Sequence, residues 1–491
     1  MNLTQSRWYK PLLVALAMAL LVSAHYSQRR LNTLRGELGL TRLEPLRNAP
    51  PILTLTTVVL GGFRGLIANA LWVRAIELQD EDKFFEKVQL ADWITKLQPH
   101  NATVWTVQAW DMSYNISIKF TDLGERWNWV LRGIELLRDE ALFYNPDNVE
   151  IYQQLAWHFQ HKIGQNLDDG HLYYKSVWAG EMNAVLGGGR PNFEELINPA
   201  TDEARARVKL LREKYKMDPV LMKGADDAYG PLEWRLPEAH AVYWAYVGKQ
   251  KAATKDDLIK LRRVLYQSMF LAFHRGEILE VHDGTVEFGP NLAIADKTHA
   301  TYEEAMAEDA VMRDHISRAH KNFLLDAVYF NYVHNRPSES ERWFQMVKDR
   351  YPNDVPKGLT MEEYAIGVRL QEDVGETDMN RVTSHLRGLI TQSYLNLARN
   401  RDDDAVGYAA LARNLWKIYM DKVTSTKSDH RVPLVPLDQM KRDAVRKLLD
   451  PETGLVPEMA AVLRTKIPEL AEEVEAEIRA SRPPAPVAPP E

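Results

Sequence analysis

The sequence predicts an all-α protein, an α-solenoid of stacked helical hairpins with one inserted β-hairpin and an N-terminal membrane or signal helix. Three observations predict it. From residue 60 onward apolar residues recur at three- and four-residue spacing, which gathers them on one stripe of a helix. Proline-centred turns of one kind punctuate that pattern, each a helix stop followed at once by a helix start. At 491 residues the chain exceeds what a single growing core serves, so several domains or a solenoid is expected.

The N-terminal element comes first. Arg7 and Lys10 precede an apolar run from Pro11 to Ala24, flanked by Trp8 and Tyr9 before it and by His25 and Tyr26 after it. A charged n-region followed by a short apolar stretch is an export signal, and Val22-Ser23-Ala24 has the small-residue spacing of a cleavage site. Counted with its flanking aromatics, Trp8 to Tyr26 is also about long enough to span a bilayer. Both readings export the body. The spanning reading places it at the cell membrane as a single-pass, periplasmic protein; the signal reading secretes it after cleavage near Ala24. A second apolar stretch, Ile52 to Val73, contains Arg64 and the pair Gly61 and Gly65. An arginine at a bilayer centre costs roughly 2.5–3.5 kcal/mol, so this stretch reads as the first helix of the body, the alternative being a second span with the arginine-rich 27–50 as a cytoplasmic loop.

The hairpins follow. Leu97-Gln98-Pro99-His100-Asn101 ends one helix, Tyr144-Asn145-Pro146-Asp147-Asn148 another, and Arg350-Tyr351-Pro352-Asn353-Asp354 a third. Proline cannot continue a helix, and the Asn or Asp beyond it can cap the next. The helices downstream read alike. Trp105, Gln108, Ala109 and Met112 follow the first turn, and Tyr152, Leu155, Ala156 and Phe159 follow the second. Leu71, Arg74, Ala75 and Leu78 form the same pattern 34 residues before the Trp105 set. Here the sequence resembles the tetratricopeptide repeat, a helical hairpin of 34 residues whose first helix carries a large, then a small, then an aromatic residue. The resemblance implies that Ala75, Ala109 and Ala156 let paired helices approach closely. It covers about half the chain in degenerate form, and such repeats bind many unrelated partners. Trp105 and Tyr152 are 47 residues apart, 13 more than the period, which places an insertion near Phe120 to Trp127. A later block repeats the theme through Leu324, Ala327 and Tyr329, then Trp343, Phe344 and Val347, and a further hairpin runs from Leu386 to Met420 with its turn at Asp402-Asp403-Asp404.

Between the blocks, Gly187-Gly188-Gly189-Arg190-Pro191 is a loop and no phosphate cradle, since no Gly-Lys-Ser/Thr follows. Alternating residues around His282-Asp283-Gly284 read as a β-hairpin over 277–288. The expected layout is therefore a signal anchor or signal peptide over 1–30, a linker over 31–57 and N-terminal repeats over 58–186. An inserted helical region over 187–300, C-terminal repeats over 301–480 and a Pro-rich tail over 481–491 complete it.

Composition narrows the chemistry. A formal charge of −7 with no basic cluster in the body argues against nucleic acid. The absence of cysteine removes disulfides, thiolate metal sites and thiol nucleophiles. His158 and His161 stand three apart without the His-Glu-x-x-His frame, so they read as capping or solvated histidines; no metal and no cofactor is expected. The most unusual segment is Gly224 to Trp244. Asp226, Asp227, Glu233, Trp234, Arg235, His240 and Trp244 are the candidate ligand-binding residues there. Pro237 suits the first turn of a helix, which puts His240 and Trp244 on one face. Paired carboxylates in a Trp-lined groove are the parts of a polysaccharide-active site; the same residues also suit a structural loop with Arg235 paired to an acid and the indoles in the core. Thirteen tryptophans and twenty tyrosines admit sugar stacking, but Trp72, Trp93, Trp105 and Tyr152 sit where hairpins pack. The expected function is a membrane-anchored extracytoplasmic scaffold for protein partners in the cell envelope and no enzyme, the alternative being an exported all-α protein that binds or cleaves polysaccharide.

Overall fold

The computed structural model describes residues 9–37, 63–280, 286–356, 358–365, 379–425, 434–450 and 454–481. Arg7, the linker from residue 38 on, the start of the 52–73 stretch, the Asp-Gly turn of the β-hairpin and the tail beyond residue 481 lie outside them. Among the described residues the protein is helical with one small antiparallel sheet. It divides into two compact units, Met1–Val104 and Trp105–Glu491.

The first unit holds α1 (Tyr9–Glu37), α2 (Phe63–Asp80) and α3 (Phe84–Leu97). In α1 the side chains of Val14, Leu16, Met18, Leu20, Leu21 and Val22 are exposed. Among the described residues no helix is long and apolar enough to cross a membrane. The apolar run ends at Ala24, and the polar His25, Gln28, Arg29 and Arg30 follow within the same helix, short of the about 20 apolar residues a span needs. Helices α2 and α3 form a hairpin. Ala75 and Leu78 on one helix and Ala91 and Ile94 on the other are buried, and Asp82 turns the chain at φ 56°. Trp93 is 49% exposed, so it does not fill the core as its position suggested.

The second unit begins within α4 (Ala102–Trp110), which runs on through a π turn, Asp111–Ile116, and a 3-10 turn, Ser117–Lys119. After the N-cap Asp122, whose carboxylate accepts from the Glu125 amide, α5 (Leu123–Glu135) continues through a second π turn, Leu136–Ala141, to Leu142–Tyr144. Asn148 caps α6 (Val149–Trp157) by accepting from the Glu150 amide, and a third π turn, His158–Gly164, prolongs it. The extra 13 residues form no separate insertion at Phe120 to Trp127. They lengthen both helices of this hairpin, and each π turn absorbs one residue that an α-helical turn cannot hold. Gly133 lets the two long helices close: a Cβ there would meet the Ala109 carbonyl oxygen at 2.7 Å and the Ser113 hydroxyl.

Helices α7 (His171–Leu186), α8 (Phe193–Ile197), α9 (Asp202–Glu213), α10 (Pro219–Tyr229), α11 (Pro237–Lys249) and α12 (Lys255–Arg275) follow. Pro219 and Pro237 stand in first turns, where proline costs no hydrogen bond. Buried on nearly every face, α11 packs against α6, α10 and α12. Strands β1 (Glu277–Glu280) and β2 (Val286–Gly289) pair antiparallel, Ile278 opposite Phe288, as the sequence predicts.

Helices α13 (Ala295–Glu308), α14 (Arg313–Val333) and α15 (Pro337–Arg350) then pack in sequence, α16 (Met379–Ala398) pairs with α17 (Asp402–Ser425), and α18 (Leu437–Leu448), α19 (Pro457–Lys466) and α20 (Pro468–Ser481) complete the chain. Asp402, Asp403 and Asp404 form the first turn of α17 and not the turn before it, where their charge suits the helix N-terminus. Asn400, at φ 58°, makes the turn.

Candidate functional site

The seven sequence-predicted residues occupy the stretch between α10 and α11 and these two helices. Asp226 accepts from the Leu232 amide at 2.9 Å and from the Trp234 indole N–H at 3.0 Å. Asp227 is exposed and pairs with Lys223, one turn away on α10, at 2.7 Å. The Glu233 carboxylate is clasped by the Arg235 guanidinium through two bonds, 2.8 and 3.0 Å. Trp234, His240 and Trp244 are buried. His240 donates from Nε2 to the Trp234 carbonyl at 2.9 Å, and its ring stacks on Phe159 and meets the Trp178 edge. The Trp234 amide donates to Gly189, fastening the glycine loop to the same stretch. Arg235 paired to an acid and indoles turned inward match the structural reading of the segment.

A different group of side chains faces outward. Trp110 at the end of α4 stacks on Tyr114 in the π turn, with centroids 5.7 Å apart and planes 17° apart. Tyr114 stacks on Trp157 at the end of α6, at 5.2 Å and 28°, and Trp157 stacks on His161 at 4.5 Å and 17°. The ladder crosses from the first helix of one hairpin to the first helix of the next. Trp110 is 42% exposed and the other three rings are half-buried. Within each helix the rings stand four residues apart, and Val107, one turn before Trp110, extends the exposed apolar strip. The Tyr114 hydroxyl and His161 Nδ1, 3.1 Å apart, tie the two helices by a hydrogen bond.

Beneath the ladder lies a buried knot of charge. The Lys162 ammonium sits 4.9 Å from the Tyr114 ring centre and donates to Asp168 at 2.5 Å. Asp168 also receives Arg126 at 2.8 Å, the Gly170 amide at 2.8 Å and the Tyr174 hydroxyl at 3.2 Å. Burial works against the charge on Asp168, but the bonds from Lys162 and Gly170 outweigh it and hold its carboxyl below the usual range. Deeper still, Lys175 lies between Asn166 and His171, and burial lowers its ammonium to about 8. Glu238 accepts from Arg275, which also reaches Asn166 and the Gly164 carbonyl at the end of the third π turn. These groups hold the π turns in place from below. His158 is part of that frame: it is buried, and its Nδ1 donates to the Gln154 carbonyl at 2.7 Å. His158 and His161 thus have separate partners.

Among the described residues one group has the composition and closeness to hold a metal ion, namely His299 and Glu303 on α13 with His320 on α14. Burial, with His299 and Arg350 nearby, pushes His320 down to about 3, so its imidazole is neutral. Sequence reasoning missed both this group and the ladder. The spacing of His299 and Glu303, four apart on an amphipathic helix, and of the two Trp-x-x-x-Tyr/His pairs was the available signal, but neither spacing names the partner across the helix boundary.

Comparison with known protein families, curated proteins and solved structures gives no match.

Proposed function

We propose that the chain is a membrane-associated, extracytoplasmic scaffold built of tetratricopeptide-like hairpins, and that it holds a protein partner along the Trp110–Tyr114–Trp157–His161 ladder. The ladder is the observation that carries this reading. Surfaces rich in exposed Trp and Tyr, braced by ordered neighbours, supply most of the binding energy at protein interfaces. Sugar recognition needs an open ring face, whereas Tyr114 and Trp157 each stack with two neighbouring rings. The exposed Trp110, the ring edges and the flanking Val107 make an apolar strip that suits the side chains of a protein. The exposed apolar run of α1 between basic flanks supports membrane association.

The test is affinity for the partner recovered from native membranes. Trp110→Ala removes the exposed end ring and Trp157→Ala a central one, so each weakens capture by about 30-fold or more, on the order of 2 kcal/mol for an interface anchor. Unchanged capture by both variants, with their folds intact by circular dichroism, would remove the ladder from the interface.

A further inference from the structure

We infer that His299, Glu303 and His320 form a binding site for a divalent transition metal of the zinc class, independent of the aromatic ladder. His299 and Glu303 stand four apart on α13 and so share a face. His320 reaches that face from α14, where it is fully buried. One donor atom from each residue lies within 4.8 Å of the other two. His299 Nδ1 and His320 Nε2 are 2.8 Å apart.

The surroundings prepare these atoms for a cation. The Tyr351 hydroxyl donates to the Ser317 carbonyl at 3.0 Å, so its oxygen accepts the hydrogen on His320 Nδ1 at 2.9 Å. That bond fixes the tautomer: the lone pair of His320 sits on Nε2 and points at His299. A ligating imidazole held through its other nitrogen by an outer partner is the usual design of a metal site. Glu303 is prepared in the same way. Arg350 holds its Oε2, while Oε1 is buried and has no hydrogen-bond partner. The carboxylate is therefore presented as a one-oxygen ligand; Oε1 stands 3.9 Å from His320 Nδ1, the nitrogen bonded to Tyr351, and swings toward Nε2 to share an ion with it.

Two imidazoles and a carboxylate select zinc, cobalt or nickel over magnesium or calcium, which take all-oxygen sets. Metal–nitrogen bonds of about 2.0–2.1 Å in a tetrahedral site put two nitrogens roughly 3.3 Å apart. The half-buried His299 ring therefore withdraws by about half an ångström from its present contact, and Glu303 closes in. The metal takes the place of the hydrogen between the two rings, and His299 stays neutral by carrying its hydrogen on Nε2. Three protein ligands leave the fourth position to water on the side of the half-buried Glu303. The ion joins α13 to α14 and, through Tyr351 and Arg350, to the end of α15.

The test uses the untagged full chain, stripped with chelator and titrated with Co2+ while the visible absorption is followed. The expected result is one equivalent bound with a tetrahedral spectrum, displaced by Zn2+ and unaffected by Mg2+, together with a rise in melting temperature on adding Zn2+. His299→Ala and Glu303→Gln abolish the tetrahedral band, and Tyr351→Phe, which removes only the outer partner, weakens binding about 10- to 100-fold. His320→Ala opens a hole in the core and can unfold the region; His299→Ala, at a half-buried position checked by circular dichroism, carries the test in its place. No Co2+ band in the unaltered chain, or a band that persists in folded His299→Ala, overturns the site.

Discussion

His158 and His240 show what burial does to single side chains here. Each is fully enclosed, each gives one ring nitrogen to a backbone carbonyl, and burial lowers each to about 4. The unfolded chain binds protons at these groups from about pH 6.5 downward, and the folded chain does not until about pH 4. Their contribution to stability is thus complete above pH 6.5 and is lost as the pH falls through that window. At pH 5 each costs about 2 kcal/mol of stability relative to pH 7. Denaturant melts at the two pH values check this, and His240→Gln is expected to remove roughly half of the difference from these two groups. An equal pH dependence in that variant would assign the loss to other residues. Gly133 is a second residue-scale case. Gly133→Ala gains helix propensity of about 1 kcal/mol but drives a methyl against the Ala109 carbonyl oxygen and the Ser113 hydroxyl. Overpacking of this kind costs typically 1–3 kcal/mol, so a net loss of about 1 kcal/mol and a lower melting temperature are expected; a more stable variant would show that the helices part freely.

At the scale of elements, the helix stops were legible because they rest on local chemistry. Pro146, Asn148 and Pro237 act within one turn of chain, and the structure uses each as the sequence implied. The β-hairpin was legible for the same reason, its alternation being complete within a dozen residues. The 13-residue excess was not. A π turn has no composition of its own, and lengthening two helices looks in sequence like a loop inserted between them. Likewise the inward turn of Trp234 goes with Asp226 and Gly189 taking up its indole and backbone N–H groups, which spacing alone does not reveal. The ladder and the His299–Glu303–His320 group both join two helices. Each half was visible as a four-residue spacing, and the joining was set by packing. The metal titration described above tests the second of these; the first belongs with the function of the whole.

For the whole molecule, the account joins an exposed apolar helix, a body of packed helical pairs and one aromatic strip that the body braces from below. The braced strip distinguishes a binding surface from scattered exposed rings, since Lys162 and Asp168 hold the π turns on which Tyr114 and His161 ride. An interface is also a claim about which face is covered in the cell. A photo-crosslinking amino acid at Val107, beside Trp110, and another at Val220, exposed on α10, distinguish the two faces without disturbing the core. The measurement is crosslinking of the full chain from each position in intact membranes of its own host. The account predicts a discrete crosslinked product from position 107 that disappears with Trp110→Ala and is absent from position 220. Equal products from both positions, or none from 107 while the chain remains folded, would contradict a partner bound along the ladder.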